Sequence, residues 1–129
     1  MPEPVIICLH QPALELAEKV ASLCDGEVHG LQSRVNTIPE TFEKTKEHLQ
    51  DLFQKGHPLV GICSSGILIR SLADVLSDKH TEPPVLAVAE DGSCVIPLLG
   101  GHHGANDLAR KIASGLGVAA AVTTAGDLR

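Results

Sequence analysis

The sequence predicts an α/β fold: a three-layer α/β/α sandwich on a mainly parallel sheet with one antiparallel hairpin. Three observations carry this. The continuous apolar runs Val5-Ile6-Ile7-Cys8-Leu9 and Leu59-Val60-Gly61-Ile62-Cys63 have the character of strands covered on both faces. Segments with helical spacing lie between such runs, so strands and helices alternate along the chain. Val85-Leu86-Ala87-Val88 and Cys94-Val95-Ile96 flank Glu90-Asp91-Gly92-Ser93, a hairpin signal centred on Asp-Gly.

Taken in order, the first strand is followed by the turn His10-Gln11-Pro12. A helix follows with Leu14, Ala17, Val20, Ala21 and Cys24 on one face, and Gly26 is its expected stop. Glu27-Val28-His29-Gly30-Leu31 reads as a short, weaker strand. Pro39 is expected to open a charged helix with Phe42, Leu49, Leu52 and Phe53 as its apolar positions, ending near Gly56; its charges make a solvated face. His48 and His57 read as surface residues. After the second buried strand, Ser64-Ser65-Gly66 leads into a helix over Ile67–Leu76. A polar connection, Asp78–Pro84, enters the hairpin. A last helix runs to about Leu116-Gly117, and Val118–Thr123 is expected to be a final strand.

With 129 residues the chain fits one domain with a real core. Two Phe and no Trp or Tyr mean that Val, Ile, Leu and Ala must build that core. The same scarcity, with a net charge of −6, argues against nucleic acid, which needs stacking platforms or a basic stripe. Cys8, Cys24, Cys63 and Cys94 form no C-x-x-C pair, and free thiols in apolar runs act as small hydrophobes. No stretch is long enough to span a bilayer, and with charge and proline at Pro2-Glu3-Pro4 no signal peptide is expected. A cytoplasmic location with reduced thiols is expected. The chain stops just after the last expected strand, at Thr123–Arg129, and is expected to be a piece of a longer protein.

The richest chemistry lies in Pro97-Leu98-Leu99-Gly100-Gly101-His102-His103-Gly104-Ala105-Asn106-Asp107. Gly100, Gly101 and Gly104 let the backbone bend and approach a ligand without a Cβ. A helix beginning near Asn106 would aim its first N–H groups at this loop, favouring a carboxylate, phosphate or oxyanion. Two adjacent imidazoles sit in the same turn, where acid–base chemistry near neutral pH is available. The plainer alternative is a tight turn, with Asn106 or Asp107 as an N-cap. The spacing fits neither a Walker A loop nor a dinucleotide fingerprint. Ser64-Ser65-Gly66 makes a second strand–loop–helix junction of this kind. In an open parallel sheet, both loops are expected beyond the carboxyl ends of their strands, where ligands bind.

The order of these motifs resembles a known family. Gly61-Ile62-Cys63-Ser64-Ser65-Gly66-Ile67-Leu68-Ile69-Arg70 precedes Leu76-Ser77-Asp78-Lys79-His80-Thr81-Glu82-Pro83-Pro84-Val85. Then come Asp91-Gly92, the stretch Leu98–Ala109, and Ala121-Val122-Thr123-Thr124-Ala125-Gly126-Asp127. Together they resemble the N-terminal and linking region of the CbiG family of cobalamin biosynthesis. The resemblance covers the C-terminal half of the chain, and residues before Gly61 share only the strand–helix pattern. A serine is usual in the family where Gly100 stands, a glycine where Ala105 stands, and Thr-Asp where Gly126-Asp127 stands.

The resemblance implies cobalt-precorrin-5A hydrolase activity, in which the ring-A lactone opens and a two-carbon unit leaves as acetaldehyde. It also implies an anionic cobalt-corrinoid as partner, with cobalt carried in the substrate macrocycle and no cofactor or metal held by the protein. A C-terminal domain, or a fused precorrin-3B C17-methyltransferase, is the expected neighbour. Lactone hydrolysis needs a base for water, an oxyanion site and a proton donor for the leaving oxygen. His102 or His103 is the candidate base, oriented by Asp107 or Asp78, while backbone N–H groups at 101–106 and the Asn106 amide would hold the oxyanion. Ser64, Ser65, Arg70 and Lys79 are candidate clamps for substrate carboxylates, with Asp78, Gly100, Gly101 and Gly104 lining the site. The competing readings are a non-catalytic corrinoid-binding module, and a metal protein using His102, His103 and His10 or His80. Adjacent histidines seldom both ligate one metal, which weighs against the last.

Overall fold

A computed structural model describes residues 2–128. Six strands form one sheet in the order β3-β2-β1-β4-β5-β6: β1 (Val5–Cys8), β2 (Glu27–Leu31), β3 (Thr41–Phe42), β4 (Leu59–Ile62), β5 (Val85–Val88) and β6 (Val95–Leu99). All neighbours pair in parallel except β5 and β6, the hairpin. The α/β fold with one antiparallel pair is as the sequence predicts.

Alternation along the buried strands explains the three layers. Ile6, Cys8, Val60, Ile62, Leu86 and Val88 point to one face, against Ala17, Val20 and Ala21 of α1 (Leu14–Cys24) and Ala109 and Ile112 of α4 (Ala105–Leu116). Val5, Ile7, Leu59, Val85 and Ala87 point to the other. There they meet Leu49, Leu52 and Phe53 of α2 (Thr45–Gln54) and Leu68 and Leu72 of α3 (Ser65–Leu72). Each fully buried Ile or Leu contributes roughly 1.5–3 kcal/mol. Aliphatic side chains therefore suffice for a core with only two Phe.

Several local expectations are corrected. The helix expected from Pro39 begins at Thr45, because Thr41 and Phe42 are drawn into the sheet: Gly30 N–H donates to Glu40 O and Gln32 N–H to Phe42 O. A two-residue strand leaves no periodicity to read. His48 is not a surface residue; it is half-buried and stacked on Phe42, with ring centroids 4.5 Å apart. His57 is likewise half-buried, its Nδ1 2.9 Å from Glu3 O. Asp25 rather than Gly26 ends α1, in the left-handed conformation (φ 54°). Gly26 is needed for another reason: a Cβ there would lie 2.8 Å from Pro4 O. The helix after β4 ends at Leu72 and continues as a 3-10 turn over Ala73–Val75.

Strand β6 absorbs Pro97-Leu98-Leu99 from the expected loop. Pro97 is tolerated in a strand at the border of the sheet, where a missing N–H costs little. The final strand expected at Val118–Thr123 is reduced to a single parallel bridge, Ala120 with Val95, and Ala121 N–H donates to Val95 O at 2.9 Å.

The largest correction concerns direction. Because β6 is antiparallel, Leu99 pairs with Val85, the first residue of β5. The loop after β6 therefore emerges at the edge where the parallel strands begin. The loop after β4 emerges at the edge where they end. The two junctions do not share one edge.

Candidate functional site

Ser64, Ser65 and Arg70 lie at the carboxyl edge of the sheet. Ser64 occupies the N-cap of α3 in extended backbone, but its hydroxyl makes no capping bond. The Arg70 guanidinium folds back toward the start of its own helix; a Cβ on Gly66 would sit 2.9 Å from its Nη1. Arg70 and Lys46 border a groove of about 390 Å³ with Leu9, Thr45, Ile67 and Ser71. Lys46 is also paired with Asp74 at 2.8 Å, and that pairing holds the lysine above and the aspartate below their ordinary ranges.

A pair that sequence reasoning missed stands at this same edge. His10, in the turn after β1, has Nε2 2.6 Å from Glu90 Oε2, in the turn after β5. Strands β1 and β4 are neighbours, and the chain winds outward from them in opposite directions, so this is the switch point where open α/β sheets bind ligands. No sequence spacing joins residues 10 and 90; only the strand order brings them together. Cys63 lies beneath, and burial pushes its thiol up to about 11, which keeps it protonated and unfit as a nucleophile.

Gly100, Gly101, His102, His103, Gly104, Asn106 and Asp107 lie at the opposite edge. The glycine expectation holds where it matters. Gly100 (φ 77°) and Gly104 (φ 97°) are left-handed, and a Cβ on Gly100 would fall 2.6 Å from Pro83 O. Between them Gly101–His103 form one 3-10 turn, which presents both imidazoles as exposed side chains. His103 borders a hollow of about 170 Å³ with Gly56, Thr81, Glu82, Pro83 and Pro84.

Helix α4 starts at Ala105, one residue earlier than expected. The N–H groups of His103 and Ala105 both donate to Gly100 O, at 2.8 and 3.1 Å, so they fasten the turn. Asn106 is only 3% exposed and its Nδ2 donates to Thr124 Oγ1 at 3.1 Å. Its amide braces α4 against the segment returning past β6. Asp107 is exposed, with Oδ1 3.8 Å from Arg110 Nη1. Asp78 Oδ1 accepts the His80 N–H at 2.9 Å and shapes its own loop, with Lys79 exposed beside it. Among the described residues neither carboxylate is hydrogen-bonded to His102 or His103.

The structure thus gathers the candidate residues into two groups, one per edge. Strands of four or five residues at ~3.3 Å per residue hold these edges more than about 10 Å apart. One reacting atom cannot be touched from both.

Comparison with known proteins places this geometry. A cobalt-precorrin-5A hydrolase of Priestia megaterium is 39% identical over 82 residues, covering 63% of this chain and 22% of that protein. One from Salmonella typhimurium is 44% identical over 71 residues, covering 54% and 20%. The chain thus spans about a fifth of the length of these curated relatives. In structure, a cobalamin biosynthesis protein G homolog from Sulfolobus solfataricus superposes with a TM-score of 0.68 over 94% of this chain and 36% of that one. At 22% identity it speaks for the fold alone. The family model described as Cobalamin synthesis G N-terminal matches residues 47–127, which contain the serine junction, Arg70, Glu90 and the whole His102–Asp107 turn. The chain belongs to the cobalamin synthesis G N-terminal family.

Proposed function

We propose that this chain is the corrinoid-handling part of a cobalt-precorrin-5A hydrolase, acting beside a further domain on an anionic cobalt-corrinoid. The observation that carries the reading is the His102–His103 turn at the N-terminus of α4, inside the family-matched segment. One exposed imidazole takes a proton from water, which adds to the ring-A lactone carbonyl. The resulting oxyanion is drawn to the positive end of α4. The tetrahedral centre then collapses, the ring oxygen leaves, and the imidazolium returns the proton to it. The opened ring subsequently releases its two-carbon unit as acetaldehyde.

The carboxylates at the corrinoid periphery need cationic partners, and the net charge of −6 offers them only locally. Lys79 stands on the loop leading to the Pro83–Pro84 wall of the His103 hollow. Arg70, Ser64 and Ser65 serve at the far edge, where they hold an extended part of a bound partner rather than the reacting ring. Cobalt enters as part of the substrate.

The test is incubation of the purified chain with cobalt-precorrin-5A, following product mass and trapped acetaldehyde. Turnover that falls in His102→Gln or His103→Gln supports the assignment. Turnover unchanged in both removes it. Substrate binding without turnover points to a recognition module, and the absence of both binding and turnover overturns the reading.

A further inference from the structure

A second cluster of titratable groups lies at neither edge. Glu27 and His29, two apart on β2, point to the same face of the sheet, toward α2. Glu40 immediately precedes β3, its backbone tied to β2 by the Gly30 N–H···O bond of 3.0 Å. One ligand atom from each of the three falls within 4.8 Å of the others. His29 Nε2 is 3.0 Å from Glu27 Oε1, and His29 Nδ1 is 2.8 Å from Nε2 of the half-buried His48 on α2.

We propose that Glu27, His29 and Glu40 form a binding site for a divalent transition-metal ion, with His48 positioning the His29 ring. One imidazole and two carboxylates, with water completing the shell, are a nitrogen–oxygen set suited to zinc or its first-row neighbours. Donors bound tetrahedrally at about 2.1 Å stand about 3.4 Å apart. From the 4.8 Å span the set closes by no more than about 1.4 Å, a shift within reach of the exposed Glu40 side chain.

The fourth residue makes the geometry specific. A metal-bound histidine commonly donates its other ring N–H to a fixed acceptor. His48 Nε2 is placed to be that acceptor. His48 is itself half-buried and stacked on Phe42, with ring centroids 4.5 Å apart, which fixes its ring for that role. With His29 Nδ1–H donating to His48, the Nε2 lone pair of His29 faces the Glu27 carboxylate, and a cation between them relieves that opposition. The competing arrangement has the opposite tautomers: His48 Nε2–H donates to His29 Nδ1, and His29 Nε2–H to Glu27. It needs no metal. The two arrangements differ in what the protein retains.

The experiment is zinc retention. Chelator-stripped protein is loaded with Zn²⁺, dialysed and assayed for metal, with circular dichroism confirming the fold of each variant. One retained equivalent is expected, with at least about tenfold weaker binding in Glu27→Gln, His29→Gln and Glu40→Gln. His48→Gln should retain the stoichiometry and lose about 10–100-fold in affinity. A variant lacking His10, His80, His102 and His103 should bind as the parent does. X-ray absorption on the zinc-loaded parent keeps the test decisive if a variant unfolds: one imidazole nitrogen among oxygen ligands supports the site. No retained zinc, two or more imidazole ligands, or retention lost with the other histidines overturns it.

Discussion

The two edges of the sheet differ in how they are built. At the carboxyl edge the parallel strands end together and α1, α2 and α3 all begin, so the positive ends of three helices face one way. Three polar pairs close across it: His10 with Glu90, Lys46 with Asp74, Gln11 Nε2 with Thr37 Oγ1 at 3.1 Å. Among the described residues only α4 begins at the amino edge, delivered there by the reversed direction of β6. Its turn is fastened through backbone bonds to Gly100 O, and its two imidazoles are left exposed. One edge holds paired side chains on a converging scaffold; the other holds exposed imidazoles on a turn fastened through its backbone. A single antiparallel strand is enough to divide chemistry that adjacent loops would otherwise share.

The sharpest way to break this comparison is turnover of cobalt-precorrin-5A by variants from each edge. On the proposed reading, His102→Gln or His103→Gln should cost about 10²–10⁴-fold in kcat, the usual worth of a general base. His10→Gln and Glu90→Gln should leave kcat within a few-fold. The reverse pattern would move the reacting centre to the switch point between β1 and β4.

The brace at the amino edge comes next in size. Asn106→Ala removes a buried amide and strands the groups it satisfies, so chemical denaturation should show a loss of about 1–3 kcal/mol. Thr124→Val should cost less, near 1 kcal/mol. An unchanged Asn106→Ala midpoint would mean that the segment after α4 does not support the turn.

Arg70→Ala should weaken corrinoid binding by about tenfold, the worth of one charge-assisted contact, with kcat unchanged. A loss in kcat instead would join the two edges functionally.

The smallest effect is a pH dependence. The folded-state value of His48 is depressed, so the unfolded chain takes up its proton first as pH falls below about 6.5. Stability should therefore decline from neutral pH into mild acid, then level off once the folded state also binds the proton. Thermal melts in chelator across that window should decline less in His48→Gln than in the parent.

Much of the fold was legible in the chain. The apolar runs at Val5–Leu9 and Leu59–Cys63 alternate between two faces with no polar interruption, which only a doubly covered strand allows. The Asp91-Gly92 hairpin was readable because turn chemistry is local: Gly92 is left-handed (φ 74°), and Asp91 Oδ1 accepts the Ser93 N–H. The strand Thr41–Phe42 was not, because two residues pair by virtue of what lies beside them. His48 was misread for the same reason. On α2 it sits among charged residues, and only the docking of α2 over Phe42 and His29 covers it.

Of the candidate site, residue types and backbone were local and therefore readable, and neighbours were not. Gly100 and Gly104 take the left-handed conformations that Gly-Gly-His-His-Gly requires. That His10 would meet Glu90, or that Asn106 would turn inward to Thr124, depends on strand order and on the path of the chain after α4.

By itself, then, the sequence determined the layers, the long apolar strands and most of the helices, and the presence of a glycine–histidine turn before a helix. These rest on periodicity and on conformational preferences that act over a few residues. Only the tertiary structure decided which edge each loop occupies and which titratable groups meet. Reversing one strand moves its loop to the other end of the sheet while changing nothing in its local pattern.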